Sequence, residues 1–210
     1  MIRVLVADDH TLVRKGLKEV IEESQQMKVT AEAGNAEEVM AAVKSGDIDV
    51  VVLDIAMPGK SGLEILKELK ALQPRLPVLM LSMYPEERYA VRVLRAGASG
   101  YLTKSGAPEE LILAINKIAH GERYISAAVA EVLAAELKGD STHPLHESLS
   151  DREYQVLVMI ASGTSSKEIA HNLSLSPKTI STYRNRILRK MNVKSNAELI
   201  KYALENDLIE

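Results

Sequence analysis

The sequence predicts two domains, a parallel α/β domain followed by an all-helical domain. Short apolar runs recur along the first 120 residues, and stretches with the spacing of amphipathic helices separate them. This alternation predicts a doubly wound (βα)5 parallel sheet with helices on both faces. After residue 148 the pattern is helical throughout, which predicts a separate domain of four helices.

The predicted strands are short and almost continuously apolar, as is typical of strands buried on both faces of a parallel sheet. Between two of them, leucines at spacing three over 63–72 indicate an amphipathic helix. In doubly wound sheets the functional site lies at the carboxyl ends of the strands, so the residues that end or follow each run are candidates. The five predicted strands are Ile2–Ala7, Met27–Ala33, Val50–Ile55, Pro77–Ser82 and Ser99–Thr103.

A polar segment is predicted to separate the domains. Residues 1–120 form the predicted sheet domain, 121–147 a linker and 148–210 the helical domain. The linker contains an Ala-rich stretch over 125–137 that predicts a helix, and then residues 139–144, which are rich in helix breakers.

The helical domain contains recognisable helix starts. Ser150 and Glu153 have the spacing of a capping box, and Ser176 precedes Pro177, a residue favoured at the first helical position. The turn before Pro177 is short enough for a helix-turn-helix. The predicted helices are 151–162, 166–173, 177–191 and 195–205.

Composition excludes several classes of protein. The chain has no cysteine, which excludes disulfides, zinc–thiolate sites and cysteine nucleophiles. No apolar run approaches the roughly 20 residues that span a bilayer, and the first residues have the pattern of a strand rather than of a signal peptide. We therefore expect a cytoplasmic protein that does not associate with membranes.

The net charge of −3 conceals an asymmetry along the chain. Residues 1–147 carry a net charge of −5, and residues 148–210 carry +2. An acidic half that holds cations and a basic strip that binds polyanions would account for this division. The strip, residues 178–194, contains no acidic residue and six cations: Lys178, Arg184, Arg186, Arg189, Lys190 and Lys194.

Carboxylates are predicted to converge at one edge of the sheet. Asp8 and Asp9 follow the first strand, and Asp54 falls at the end of the third. Clustered carboxylates require a hard divalent cation, and an all-oxygen ligand set suits Mg²⁺. Ser82 and Lys104 lie at the ends of the fourth and fifth strands, and together these groups suit phosphoryl transfer onto a carboxylate. Taken singly, each is more simply a cap, a turn former or a solvated charge, so the prediction depends on the combination.

Several short motifs of the first domain match a known pattern: 6–10 (VADDH), 53–59 (LDIAMPG), Gly62, 81–82 (LS) and 96–104 (AGASGYLTK). With these motifs the first 120 residues resemble the receiver domains of response regulators. The resemblance implies a flavodoxin-like fold, phosphorylation of Asp54, and Mg²⁺ held by Asp8, Asp9, Asp54 and the Ala56 carbonyl. It also implies a switch pair, Ser82 and Tyr101, and a cognate sensor histidine kinase as partner.

The third helix of the second domain is predicted to bind DNA. Its apolar side chains, Ile180, Ile187, Leu188 and Met191, share one face. The opposite face presents short polar side chains near its amino end and arginines further along, as a recognition helix requires. A solvated charged face is the commoner fate of such a run, but six cations without an acid favour DNA.

The second domain also contains a set of matching residues: Leu149, Ser150, Arg152, Glu153, Val156, Leu157, Gly163, 167–170 (KEIA), Leu173, Leu175, Ser176, 178–180 (KTI), Tyr183, Arg184, Ile187, Lys190, Met191 and 197–199 (AEL). With these residues the domain resembles the LuxR-type helix-turn-helix, and together with the receiver the resemblance places the chain among NarL/FixJ-type regulators. Residues 173–186 with 123–125 (RYI) also resemble the GacA/UvrY branch. The implied base contacts are Ser181, Thr182 and Asn185, and the implied backbone contacts are Lys178, Thr179, Tyr183, Arg186 and Arg189.

The resemblance implies a sequence-specific transcription regulator that binds double-stranded DNA and is a homodimer when phosphorylated or DNA-bound. The last helix would supply a dimer contact, with Val193, Leu199 and Ile200 as candidates. For each of these side chains taken singly, packing in the domain core is the simpler explanation. The only chemistry expected is phosphotransfer to Asp54 and its loss, not enzymatic turnover of other substrates.

Two alternatives come from other classes. An aspartyl-phosphate phosphatase would commonly place a second acid two residues after its nucleophile, where this chain has Ala56. A regulator that senses a ligand would require an aromatic-lined pocket, and only 3% of the residues are aromatic, with no Phe or Trp.

Overall fold

The computed structural model describes residues 1–83, 86–126, 129–131, 144–206 and 208–209. The chain forms two compact units, residues 1–134 and 135–210. The predicted fold class is confirmed, since the first unit contains a five-stranded parallel sheet with helices and the second is helical.

Strands and helices alternate through the first unit, and the strand order is β2-β1-β3-β4-β5. This order places β1 and β3 side by side, so their carboxyl ends lie at the same edge. The elements are β1 (Ile2–Ala7), α1 (Thr11–Glu23), β2 (Met27–Ala33), α2 (Ala36–Lys44), β3 (Val50–Asp54), α3 (Gly62–Leu72), β4 (Val78–Ser82), α4 (Glu86–Arg95), β5 (Gly100–Thr103) and α5 (Pro108–Ala119).

The sheet is buried on both faces. Val4 and Val52 pack with Ile115 of α5 in one core cluster, to which α1 also contributes. Leu5 and Val51, whose side chains point to the opposite face, are also fully buried. Burial on both sides explains why the strands are continuously apolar rather than alternating.

Among the described residues of the second unit, a 3₁₀ turn, Leu145–Ser148, comes first, and the regular elements after it are all helices. Both predicted caps are present: Ser150 accepts from the Glu153 backbone in a reciprocal capping box, and Ser176 accepts from the Thr179 N–H. The helices are α6 (Asp151–Ala161), α7 (Ser166–Asn172), α8 (Pro177–Lys190) and α9 (Asn196–Glu205).

The turn between α7 and α8 is closed by backbone hydrogen bonds. The N–H of Leu175 donates to the Ala170 carbonyl at 2.8 Å, and that of Ser174 to His171 at 3.1 Å. Ser174 adopts a left-handed conformation with φ of 51°, which this type of helix end requires. The turn thereby directs α8 away from α7.

The predicted linker is described only in part. Residues 129–131 of the helix predicted over 125–137 are helical, whereas residues 132–143, with most of the breaker-rich stretch, lie outside the described residues. Among the described residues, no helix combines the length and the apolar character needed to cross a bilayer.

Candidate functional site

Three carboxylates lie at one edge of the sheet, at the ends of two neighbouring strands. Asp54 is the last residue of β3, and Asp8 and Asp9 directly follow β1. Asp8 and Asp54 are buried, with exposed fractions of 0% and 1%, while the Asp9 side chain is partly exposed. Because parallel pairing brings both strand ends together, the sheet accounts for this convergence.

Lys104 joins two of these carboxylates. Its Nζ atom lies 2.6 Å from Asp8 Oδ2 and 2.8 Å from Asp54 Oδ2. The lysine follows β5, and its backbone N–H donates to the Ser82 carbonyl at 2.7 Å, which fixes it beside the end of β4. The structure therefore brings together the acids and the ammonium group that the sequence indicated.

Burial and neighbouring charges shift the pKa values of Asp54 and Lys104. Burial raises the pKa of the Asp54 carboxyl; the Lys104 ammonium opposes this increase, and the Asp8 carboxylate adds to it. Burial alone would lower the pKa of Lys104, but the Asp54 and Asp8 carboxylates outweigh it, so that pKa is raised. Lys104 therefore stays protonated between the two acids.

The charge and the buried carboxylate oxygens of this edge fit a divalent cation. Three carboxylates and one ammonium leave an excess of two negative charges. Asp9 Oδ1 and Asp54 Oδ2 are buried and accept no aligned hydrogen bond from the described residues, although each has a close cationic or imidazole neighbour. Buried oxygens of this kind suit Mg²⁺, which prefers carboxylate ligands.

His10 belongs to the same cluster, although the sequence reasoning expected oxygen ligands only. Its Nδ1 atom lies 2.7 Å from Asp9 Oδ1, and its backbone N–H donates to Asp8 Oδ1 at 2.8 Å. One ligand atom from each of Asp8, Asp9 and His10 lies within 4.8 Å of the other two. The signal was available, because His10 directly follows the acidic pair and a histidine in that position is a potential ligand.

The remaining predicted receiver residues are close in the fold. Ala56 lies two residues beyond Asp54, and its backbone N–H bonds to the Asp54 carboxylate and favours the ionised form. Ser82 ends β4 and Tyr101 lies on β5; both are buried, at 1% and 2% exposure. Both switch candidates therefore lie inside the domain in this structure.

The segment after β3 turns back onto the acidic edge. The Gly62 N–H donates to the Ile55 carbonyl at 2.9 Å, and a Cβ atom at Gly62 would overlap the Asp54 carbonyl oxygen and lie 2.8 Å from Ile55 Cα. Ser61, which is buried, caps α3 through a box with Glu64. Only glycine allows this close approach, so Gly62 holds the backbone that carries Asp54.

Helix α8 has one buried and one exposed face, as predicted. Ile180 and Ile187 are fully buried, Met191 is 1% exposed and Leu188 is half-buried. The candidate DNA contacts lie on the other side: Lys178, Ser181, Thr182, Asn185, Arg186 and Arg189 are exposed, and Thr179 and Tyr183 are half-buried.

Some of these polar groups already have partners within the helix. The Thr182 hydroxyl donates to the Lys178 carbonyl at 3.0 Å, and the Thr179 and Ser176 hydroxyl oxygens lie 2.8 Å apart. The charged groups of Lys178, Arg186 and Arg189, by contrast, make no ion pair with any described residue. These three cations are therefore available to a polyanion.

The basic strip contains no acidic residue, but one of its cations pairs with an acid from another helix. Lys190 Nζ lies 2.6 Å from Glu153 Oε2, whose side chain is 4% exposed. The acid comes from α6, 37 residues earlier in the chain, where a search within the strip could not find it. Arg184 is also engaged, since its Nε donates to Asn196 Oδ1 at 2.6 Å. Both side chains connect α8 to its own domain.

The three candidate dimer contacts at and before the last helix differ in burial. Leu199 is fully buried, so it completes the domain core, which is the simpler of the two explanations given for it. Val193 and Ile200 are half-buried, which keeps both as candidates.

Two families match the chain in order. Residues 4–116 match the response regulator receiver domain, and residues 147–203 match the bacterial regulatory proteins of the luxR family. The first match contains the acidic edge, and the second contains α6 to α8 and most of α9.

Relatives match over the full length. The response regulator UvrY of Escherichia coli is 36% identical over 209 residues, covering 99% of this chain and 96% of its own. The response regulator GacA of Pseudomonas aeruginosa is 36% identical over 211 residues, covering 100% of this chain and 99% of its own.

Solved structures of response regulators are also similar to the chain. RcsB of Salmonella enterica serovar Typhimurium, bound to the rprA promoter with the phosphomimetic BeF3−, is 26% identical with a TM-score of 0.64 and covers 96% of this chain and 97% of its own. A LuxR-family response regulator from Aurantimonas sp. is 35% identical with a TM-score of 0.60, covering 64% of this chain and 96% of its own. The chain therefore belongs to the response regulators that join a receiver domain to a LuxR-type DNA-binding domain.

Proposed function

We propose that Asp54 is the phosphoryl acceptor of this response regulator and that a sensor histidine kinase is the donor. The observation that carries the proposal is the position of Asp54, enclosed at a strand end with Lys104 Nζ 2.8 Å away. A carboxylate oxygen of Asp54 attacks phosphorus, and the bond from phosphorus to the donor breaks. The ammonium group of Lys104 then pairs with a phosphoryl oxygen. Lys104 therefore pairs with a negatively charged oxygen both before and after the transfer.

The neighbouring residues have distinct roles in the proposal. Asp8 and Asp9 would hold Mg²⁺ together with Asp54 and the Ala56 carbonyl, and the bound ion would neutralise charge on the phosphoryl oxygens. The Ser82 hydroxyl donates to a phosphoryl oxygen, and Tyr101 adjusts to the position of Ser82. The surface formed by β4, β5 and their adjoining helices thereby differs between the unphosphorylated and the phosphorylated protein.

Mass spectrometry tests this assignment directly. The full chain is incubated with acetyl phosphate and Mg²⁺, and the intact mass and the modified peptide are measured. We expect one phosphoryl group on Asp54, none in Asp54→Asn, and none when EDTA removes the metal. Asp47→Asn is the matched control, because that carboxylate is 82% exposed and pairs with Arg3, away from the acidic edge. Equal labelling of wild type and Asp54→Asn would refute the proposal.

The output is sequence-specific binding to double-stranded DNA. We propose that Ser181, Thr182 and Asn185 contact base edges, and that Lys178, Thr179, Tyr183, Arg186 and Arg189 contact the backbone. The exposure of six of these side chains and the three unpaired cations on α8 support this division. The RcsB structures, which were solved with promoter DNA, provide a precedent for the fold.

The proposal includes the organisation of the whole protein. We propose residues 1–120 as the receiver, 121–147 as the linker and 148–210 as the DNA-binding domain. Two copies bind the operator as a homodimer, since one helix-turn-helix reads few base pairs and two half-sites give useful specificity. Because both the kinase and the DNA act there, the protein works in the cytoplasm.

A further inference from the structure

A cleft of about 400 Å³ lies in the first unit at the edge of the sheet opposite the acidic site. It is bounded by the end of α3, the residues that precede β4 and β5, and the segment that follows α5. Its volume is within the range of small-molecule sites. None of the residues assigned to phosphorylation lines it.

Cations predominate in the lining of this cleft. Lys70 of α3, Arg75 and Arg123 line it, and Glu122 is the one acidic side chain that does. Neither Arg75 nor Arg123 pairs with an acid among the described residues, and Lys70 Nζ donates only to a neutral group there, the Leu76 carbonyl, at 2.7 Å. The lining therefore carries two positive charges in excess.

The pKa of Lys70 is lowered by its surroundings in the cleft. The side chain is half-buried, and its pKa is lowered first by that burial and then by the charge of Arg123. Like charges that approach without an intervening acid cost free energy, and an anion between them removes that cost.

Backbone hydrogen bonds hold the segment beside Arg123 in place before any ligand binds. The next residue, Tyr124, donates its N–H to the Ser99 carbonyl at 2.9 Å and pairs with Gly100 in an isolated parallel bridge. A Cβ at Gly100 would lie 2.9 Å from the Tyr124 carbonyl oxygen, so glycine permits this approach. Ser99 Oγ accepts from the Val78 N–H at 3.3 Å and keeps its own proton for donation into the cleft.

We propose that this cleft binds a phosphate dianion, either free inorganic phosphate or the terminal group of a small phosphomonoester. Arg75, Arg123 and Lys70 neutralise it, and Ser99 donates a hydrogen bond. The excess of two positive charges matches a dianion better than the single charge of a phosphodiester in DNA. Such a ligand joins Arg123, where the chain leaves α5, to the sheet and α3, and so secures the start of the connecting segment.

Calorimetry tests the proposal on the full chain. Inorganic phosphate and ribose 5-phosphate are titrated at constant ionic strength, with EDTA present so that the acidic edge holds no metal. We expect one site per chain and a loss in affinity of about tenfold or more in Arg75→Gln and in Arg123→Gln, since each removes a charge-assisted contact. Both side chains are exposed, so both variants keep the fold. Lys28→Gln, at an exposed lysine of β2 outside the cleft, should bind as wild type does.

The two ligands separate the two sources of the dianion. Tighter binding of ribose 5-phosphate than of phosphate indicates an organic monoester, and equal binding indicates free phosphate. The proposal is overturned if neither ligand binds, or if Lys28→Gln weakens binding as much as Arg123→Gln does. It is also overturned if the arginine variants lose affinity for duplex DNA and leave binding of both dianions unchanged. None of these results depends on whether Asp54 accepts a phosphoryl group.

Discussion

At Gly62 the absence of a side chain determines where Asp54 lies. A methyl group there would overlap the Asp54 carbonyl oxygen, and the nearest atoms belong to backbone, which cannot rotate away. We expect Gly62→Ala to lower the free energy of unfolding by about 1–3 kcal/mol, the usual cost of an overpacked interior. Phosphorylation of Asp54 by acetyl phosphate should also slow, because the backbone that carries it must shift. Urea unfolding and the time course of labelling measure the two effects.

Gly16 is the matched control for Gly62. It lies on the exposed side of α1, and a Cβ there would meet nothing within 4 Å. Gly16→Ala should raise stability by up to about 1 kcal/mol, because alanine is the better helix former. Equal stability and equal labelling in the two variants would show that Gly62 does not position Asp54.

Glu153 gives the DNA-binding domain a pH-dependent stability. Burial opposes ionisation of Glu153, but the hydrogen bond from Lys190 and those from Ser150 outweigh it and lower the pKa of Glu153. A lowered pKa means that the pair stabilises the fold fully above the ordinary pKa of glutamate, about 4.3, and that this contribution fades as pH falls through the lower value in the folded protein.

Glu153→Gln should therefore lose more stability at pH 7 than at pH 3. We expect a loss of about 1–2 kcal/mol at pH 7, as for a charge-assisted hydrogen bond. Urea unfolding of the full chain, followed by the NMR amide signals of α6 and α8, gives a value for this domain. Glu205→Gln is the control, because its pair with Lys201 at 3.7 Å is exposed and should contribute little. A loss that is the same at both pH values would exclude the ion pair as its cause.

The positions of residues at strand ends were predictable, and the pairing of residues with distant partners was not. Asp8, Asp54 and Lys104 each end or follow an apolar run, and parallel topology alone brings such positions together. The pairing of Lys190 could not be predicted, because Glu153 lies on another helix and local sequence does not give tertiary pairs. The chemical roles of the site residues stay predictions until the labelling experiment is done.

Element limits followed the sequence closely, and the differences have local causes. β1 and β2 have the predicted limits, while β3, β4 and β5 are each one residue shorter. Pro77 has no N–H to donate to a neighbouring strand, so β4 begins at Val78. At Ile55 the chain already leaves the sheet towards the Gly62 turn. The apolar runs in the sequence extend beyond the residues that form hydrogen bonds to a neighbouring strand. The pattern of apolar residues therefore does not show where strand pairing stops.

The exposed face of α8 predicts a salt-dependent affinity for DNA. Replacing Arg186 or Arg189 with alanine should weaken binding to every duplex and flatten the plot of log affinity against log salt by about one unit each, since each removes one phosphate contact. Fluorescence anisotropy with operator and unrelated duplexes, over a range of salt, measures both slopes. Lys201→Ala is the control, a 75%-exposed cation on α9. A loss confined to the operator would assign these arginines to base edges instead.

For the whole molecule, phosphorylation of Asp54 should strengthen operator binding. A coupling of about 1–3 kcal/mol, or roughly 5- to 150-fold in affinity, is typical of such switches. Beryllofluoride mimics the phosphoryl group, so operator affinity and sedimentation of the full chain are measured with and without it. Asp54→Asn should not respond. If neither affinity nor oligomeric state changes in the wild type, the receiver does not control DNA binding.

Residues 148–210 alone distinguish two routes of control. If this fragment binds the operator better than the unphosphorylated full chain does, the receiver inhibits and phosphorylation relieves that inhibition. If it binds worse, the receiver contributes by bringing two copies together. Both results fit a two-state switch, but they assign its free energy to different steps.

Helix α8 is secured at both ends before any DNA is present. Ser176 caps its first turn, and Lys190 in its last turn is tied to the capping box of α6 through Glu153. The helix therefore does not have to fold on the duplex, so its conformational entropy is not lost on association. Calorimetry at several temperatures should then give a heat-capacity change proportional to the interface alone, without the larger decrease that accompanies coupled folding. The rate of operator search should accordingly reflect electrostatic encounter rather than the ordering of a disordered helix.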